Sequence, residues 1–432
     1  MKRLCPWLLA LALLPIAAAM SSLAAQQDVV RLGITYRAGA RPGVIVLAGP
    51  GLDSVRKIVE RDLDYSDRFE MAFVADSVAP QQGDLNLGIW RQYGLGWAVE
   101  LRAVTGGVEA RLHDLAADSL RLRVQRGIDP AGTGPQRLGI HRLSDELVQA
   151  MTGEPGIAAT RILFQRADAI WVVDADGANA TKVSRGTGIA MSPAWGPDGQ
   201  RIAFTEIRDN AGPIIIQNLV SGTRQTVPGT NGTGLSITPA FSPDGREMLY
   251  AASGEQGTDI MRVDIQRMCC ATQLTVGRKL ADNLSPAYSP DGRRIAFLSN
   301  RSGRMQVYLM DADGSSQRAL SPGDAAAGGE AYVPDWSPDG QQIAYTRDIT
   351  GGRQILIRDV GSGRATAVTS VGRNEDASWA PDSRHLVFKS DRGGSTQLWV
   401  LDLESSRIRQ LTNMSGAARM PAWSPRLTGP VS

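Results

Sequence analysis

Five carboxylates recur at one fixed place in this chain. Asp198, Asp244, Asp291, Asp339 and Asp382 each follow a proline, once per stretch of forty-odd residues. A ring of acids could hold a cation, but the local sequence offers a plainer chemistry. In Ser-Pro-Asp-Gly, serine suits the first turn position, proline pre-sets φ at the second, aspartate is tolerated at the third and glycine closes the turn. The five acids are expected to shape turns. Asp174-Ala175-Asp176-Gly177 and Asp311-Ala312-Asp313-Gly314 resemble the start of a calcium loop, yet neither continues with the EF-hand ligand pattern, so hairpin turns are expected there too. His113, His141 and His385 lie far apart without metal-ligand spacing, and His141 is expected to cap or pack a helix. No Gly-x-Ser-x-Gly nucleophile elbow occurs. Ala48-Gly49-Pro50-Gly51 precedes an expected helix but matches neither phosphate-binding spacing. No catalytic, cofactor-binding or metal-binding residue is assigned.

The elements that carry these turns repeat. Pro239-Ala240-Phe241-Ser242-Pro243-Asp244-Gly245 has full or looser copies whose aromatics fall at Trp195, Phe241, Tyr288, Trp336, Trp379 and Trp423. The steps are 46, 47, 48, 43 and 44 residues. After each turn comes an extended run such as Ile295-Ala296-Phe297, then a second such as Gln306 to Asp311, then a third such as Gln273-Leu274-Thr275. Four short strands per unit, at a period in the forties, predict a six-bladed β-propeller. Apolar residues occur on both strand faces, as blades packed on two sides require. The repeats begin at Arg161-Ile162-Leu163-Phe164 without an inner strand just before, and end at Met420 to Ser424 without strands after, so the last inner strand should complete the first blade. Trp171, Trp195, Trp336, Trp379, Trp399 and Trp423 are expected to pack between blades. Asp335 stands where most copies have alanine; an inner-strand carboxylate needs a partner or exposure to the channel, and it is expected to tune the channel wall.

Residues 26 to 158 do not repeat. Gly43 to Ala48 reads as a buried strand, and Leu52, Val55, Val59 and Leu63 fall on one helical face. Trp97 to Leu101 and Val108 to Leu112 form a hairpin pattern, Leu120 to Val124 alternates, and a second helix is expected from Leu138 to Met151, ended by Thr152-Gly153. The fold class expected is an α/β domain, a mixed sheet with two helices on one face, followed by the all-β propeller. Basic and acidic residues number 46 and 44, and no basic run argues for nucleic acid. Lys2-Arg3, the apolar run Trp7 to Met20 and small residues ending at Ala24-Ala25 read as a signal peptide; no later segment is long and apolar enough to span a bilayer. The domain boundaries are therefore 1–25 signal peptide, 26–158 α/β domain, 159–427 propeller and 428–432 tail. In an exported chain the adjacent Cys269 and Cys270 are a strained pair, unsuited to a structural staple, and a hairpin turn is their expected place. A closed ring with no spare strand is expected to be monomeric.

Val30-Arg31-Leu32, Arg41-Pro42, Ala48-Gly49-Pro50-Gly51, Gly139 to Glu146, Thr152-Gly153, Met191 to Trp195 and Pro421 to Pro425 follow one another in an order that resembles the TolB family of the Tol-Pal system of Gram-negative bacteria, along nearly the whole chain. The resemblance implies a non-enzymatic periplasmic scaffold that maintains outer-membrane integrity and constriction in cell division. It implies binding of the peptidoglycan-associated lipoprotein, Pal, at one mouth of the propeller channel. Carried onto this sequence, that mouth includes Leu235, Thr238, Leu284, Ser285, Asp335, Glu375 and Arg419. The inner-membrane partner TolA would engage the N-terminal segment through Val30, Arg31, Leu32 and Ile34. Other outer-membrane proteins and colicins, which some family members help to import, are the further partners implied. The alternative is a secreted propeller enzyme or carbohydrate-binding propeller, which would need polar and titratable residues converging on a pocket at one mouth.

Overall fold

In the computed structural model of the chain, the described residues are 34–35, 41–74, 86–129, 136–209, 211–230, 234–255, 257–275, 281–320 and 329–427. The expected signal peptide, Val30, Arg31, Leu32, the side chain of Ile34 and the tail 428–432 lie outside them.

The N-terminal unit contains β1 (Ile34–Thr35), β2 (Gly43–Ala48), α1 (Asp53–Tyr65), β3 (Glu70–Val74), α2 (Leu87–Gln92), β4 (Trp97–Val104), β5 (Gly107–Asp114), β6 (Ser119–Arg126) and α3 (Arg137–Thr152). Its sheet runs β1-β3-β2-β4-β5-β6. β2 is parallel to β3 and β4, and the other pairs are antiparallel. Every residue of β2 is buried, because alternate side chains enter two different layers. Val44, Val46 and Ala48 pack with Val55, Val59 and Leu63 of α1 and with Ile140, Leu143 and Leu147 of α3. Ile45 and Leu47 face the other way, onto Trp90, Leu95 and Leu115. This corrects the expectation of two helices on one face. A third helix, α2, covers the opposite face with Trp90, and its six residues are too few to show a helical period. Gly153 ends α3 at φ 85°, the left-handed position that glycine occupies without a Cβ penalty.

The repeats fold as four-stranded antiparallel units. One is Asn374–Trp379, His385–Ser390, Gln397–Asp402 and Ile408–Gln410, hydrogen-bonded in that order. The inner strands of the six repeats are Ile189–Trp195, Gly234–Phe241, Ala281–Tyr288, Ala331–Trp336, Asn374–Trp379 and Ala418–Trp423. The last does not head a unit of its own. It pairs antiparallel with Arg161–Arg166, with Ala418 opposite Arg166 and Trp423 opposite Ile162, so it joins the two ends of the repeat region. The second strands place Phe164, Phe204, Tyr250, Phe297, Tyr345 and Phe388 at equivalent points, and none exceeds 2% exposure. Cores form between neighbouring units: Ile162, Phe164 and Trp423 pack with Val387, Leu398 and Leu411 of the unit before. Cys269 and Cys270 are disulfide-bonded at the start of a short outer strand, in the hairpin where they were expected.

Candidate functional site

Each inner strand carries an irregularity at the same point. Register shifts fall at Met191/Ala194, Ile237/Ala240, Leu284/Ala287, Tyr332/Asp335, Glu375/Ser378 and Arg419/Ala422. The residue in the kink takes a positive φ in every copy: Ser192 52°, Thr238 52°, Ser285 49°, Val333 40°, Asp376 57° and Met420 49°. In five copies the next residue is proline, which cannot donate to the ladder and so favours a bulge there. Left-handed backbone is unfavourable for any of these residues and most of all for β-branched Thr238 and Val333. All six line one central cavity of about 360 Å³ with the inner-strand alanines and aromatics.

Two copies depart from alanine on this wall, and both supply acceptors. Asp335 Oδ2 accepts the backbone N–H of Trp379 at 2.9 Å, and Ser378 Oγ accepts that of Trp423 at 3.1 Å. Asp335 therefore has both a partner and a place on the channel. Burial pushes its carboxyl up to about 6, against the lowering effect of these hydrogen-bond donors. Elsewhere on the mouth, Arg353 gathers a polar network. It contacts Asp348 (3.1 Å), Glu375 (3.1 Å) and the Tyr332 hydroxyl (3.1 Å), and lies 4.2 Å above the Tyr332 ring. Lys389 adds pairs to Glu375 (3.0 Å) and Asp376 (3.1 Å).

The expected mouth residues divide between these places. Thr238, Ser285 and Asp335 meet on the channel wall. Leu235 is exposed at its strand edge, and Leu284 is half-buried between units. Glu375 belongs to the Arg353 network, and Arg419 lines a separate groove. Tyr332 lies in a segment, 330–334, expected at the mouth; Arg353 and Lys389 were not foreseen, and their only signal is polar side chains on strands that are otherwise apolar.

The opposite end of the inner strands meets the N-terminal unit through buried charge. Arg407 binds Asp64 in bidentate fashion (3.0 and 2.8 Å) and reaches Asp67 at 3.1 Å. Arg384 donates to the Asp67 carbonyl at 2.9 Å and pairs with Asp402. His385, fully buried, sits between Asp382 (2.7 Å) and Asp67 (3.4 Å). Burial opposes its charge, but the surrounding carboxylates of Asp382, Asp67 and Asp402 raise its pKa. His141 and Ser144 of α3 share Asp62 of α1, at 2.8 and 2.7 Å. Asp176 takes Arg61 and Arg137 from the N-terminal unit, so it does more than shape a hairpin. Among the described residues, Asp62, His141 and Asp176 form one cluster able to hold a cation, and Asp67, His385 and Asp402 another. Arginines already neutralise carboxylates in both. The sequence signal for this layer was Asp62, Asp64 and Asp67 at the C-terminal end of α1, where the helix dipole disfavours acids and external cations are needed.

The repeated acids behave as turn residues. Ser242, Ser289 and Ser337 donate to Asp244, Asp291 and Asp339 at 2.5–2.6 Å, and Asp198 and Asp382 accept backbone N–H groups two and three residues on. Trp336, Trp379 and Trp423 are buried packing residues. Trp171 and Trp399 are half-buried under Arg166 and Arg392, so for these two the expected role is only partly met.

Residues 148–427 match a family profile described as the TolB beta propeller domain. A "Tol-Pal system protein TolB" of Methylococcus capsulatus is 33% identical over 213 residues, covering 45% of this chain and 50% of the relative. That of Haemophilus influenzae is 30% identical over 231 residues, covering 49% and 54%. The matched stretch thus spans about half the length of these curated relatives. The crystal structure of TolB from Acinetobacter baumannii superposes with a TM-score of 0.76 at 26% identity, over 91% of this chain and 99% of that one.

Proposed function

The chain belongs to the TolB β-propeller family, and from that premise we propose that it is a non-enzymatic periplasmic scaffold of the Tol-Pal system. It is exported by residues 1–25, carries an α/β domain over 26–158, and forms a closed six-bladed ring over 159–427 with a short tail. Pal is bound at the channel mouth, with Leu235, Thr238, Leu284, Ser285, Asp335, Glu375 and Arg419 contributing. TolA is engaged by Val30, Arg31, Leu32 and Ile34. The pair of contacts supports outer-membrane integrity and constriction during division.

The observation that carries the reading is the ring of six left-handed inner-strand residues around one cavity. Strain repeated at one level of a rigid scaffold, and held there by flanking pairing, is the kind of feature kept at a binding surface. A fixed backbone loses little entropy on binding, which suits a platform for a protein partner. Among the described residues no helix is long and apolar enough to cross a membrane. The test is calorimetric titration of residues 26–432 with the soluble domain of the host's Pal-like lipoprotein. Saturable one-to-one binding, lost when segments 234–238 and 282–285 are replaced, is expected. No heat at high micromolar concentrations sinks the assignment. Deleting residues 26–34 should abolish TolA binding and leave the propeller folded.

A further inference from the structure

Beside the channel lies a second, larger concavity whose chemistry is different. The groove holds about 970 Å³ and begins where the channel ends, since Arg419 lines the groove and its neighbour Met420 lines the channel. Three cations, Arg166, Lys182 and Arg419, face a single carboxylate, Asp168. In a chain whose 46 basic residues are nearly balanced by 44 acidic ones, this excess is local. Lys182 and Arg419 are exposed, and neither side chain has a hydrogen bond or ion pair among the described residues. Arg166 is held in place: its guanidinium donates to the Ser415 carbonyl and hydroxyl, both at 3.0 Å, and lies 4.6 Å over the Trp171 ring. Gly416 leaves part of the wall without a side chain, with open space where its Cβ would stand.

These features select among ligands. Two uncompensated cations with a third fixed nearby favour carboxylates on a ligand that spans several residues. Arg166 covers one face of Trp171, so that face is not free to stack on a sugar ring. The open wall at Gly416 admits a polypeptide backbone closely. We propose that the groove binds an extended acidic segment of the protein partner seated on the channel mouth, with its carboxylates on Lys182 and Arg419. The proposal rests on the reading that this mouth is the partner-binding face. Rim charges of this kind act mainly on association rate, orientation and salt dependence.

The experiment uses residues 26–432 and the double variant Lys182→Glu/Arg419→Glu, whose two sites are exposed and so leave folding intact. Each is titrated with a fluorescein-labelled Gly-Ser peptide carrying six glutamates, with the same peptide carrying glutamines, and with the lipoprotein domain. The glutamate peptide should bind wild type, bind roughly tenfold or more weakly to the double variant, and weaken between 50 and 200 mM salt, as a few exposed charge pairs require (about 1.4 kcal/mol per tenfold). The glutamine peptide should not bind. Lipoprotein affinity should fall in parallel. Equal lipoprotein affinity for wild type and double variant overturns the groove proposal and removes Arg419 from the binding residues, while binding through Thr238, Ser285 and Asp335 on the channel wall still stands. If the lipoprotein fails to bind wild type but the glutamate peptide still discriminates the two proteins, the acidic-peptide site stands and the lipoprotein assignment falls. No binding of the glutamate peptide to wild type also overturns the proposal.

Discussion

Single side chains on the channel wall have effects that can be measured separately. Asp335 titrates at about 6 in the folded state, above the ordinary aspartate value of 3.8. An acid with a raised folded pKa favours the native state while protonated, so its contribution declines as pH rises from about 4 to about 6. Asp335→Asn should remove that decline. Urea unfolding at pH 4 and pH 7 should show the variant gaining on wild type by on the order of 2 kcal/mol between the two conditions, allowing for channel water. Parallel pH dependence in both proteins would contradict this account. Asp335→Ala leaves the buried N–H of Trp379 without its acceptor, and should cost about 1–3 kcal/mol relative to Asp335→Asn. Val333 is the clearest case of backbone strain, being β-branched at φ 40°. Val333→Gly should raise stability by about 1 kcal/mol, read from the urea midpoint, because glycine adopts this conformation freely. A loss of stability would mean that side-chain packing outweighs the strain.

Among the elements, the strand Ala418–Trp423 has the most leverage, since it pairs residues about 250 positions apart in sequence and fills a core between two units. Trp423 is 6% exposed and its indole N–H donates to Thr160 at 2.8 Å. Trp423→Ala should cost about 3–5 kcal/mol, from lost burial and a cavity, with the Thr160 hydroxyl losing one of its two hydrogen bonds. A change below 1 kcal/mol in guanidinium unfolding would show that the strand is peripheral. This pairing was legible in the sequence because a missing inner strand at Arg161 and a surplus one at Trp423 leave each other as the obvious partners. α2 was not legible, because six residues are too few to show a period, Trp90 is the one buried residue among them, and only the opposing face of β2 reveals what it covers.

For the whole molecule, the polar layer between propeller and N-terminal unit sets how firmly the two are joined. The carboxylates of Asp67, Asp382 and Asp402 and the cations of Arg384 and Arg407 surround His385, whose pKa is raised. A histidine with a raised folded pKa contributes stability fully below its unfolded value of about 6.5, and the contribution is lost as pH climbs through the folded value. Docking should therefore weaken on the alkaline side. Calorimetry at pH 6 should give one coupled transition, and at pH 9 a lower or divided one. His385→Gln should flatten this difference; an unchanged pH response in that variant would remove His385 as its source. Because one propeller arginine, Arg407, serves both part-exposed Asp64 and buried Asp67, Arg407→Ala should weaken docking more than loss of a fully exposed ion pair, by on the order of 1–2 kcal/mol.

The repeat, its turns and the turn-shaping role of its aspartates were determined by sequence alone, because they depend on interactions within a few residues; the further role of Asp382 beside His385 was not. Ser-Pro-Asp-Gly closes the same turn wherever it stands, and aromatics at steady spacing declare strands that stack. What only the tertiary structure decided are features made by residues distant in sequence. The six left-handed positions become a ring only when six inner strands converge. His385 and Asp67 are 318 residues apart and acquire a shared role only when propeller and N-terminal unit dock. Arg166, Lys182 and Arg419 form one groove only because the last inner strand lies beside the first outer ones. Local physics is written in adjacent residues, whereas charge compensation and concave shape depend on which surfaces the tertiary fold brings together.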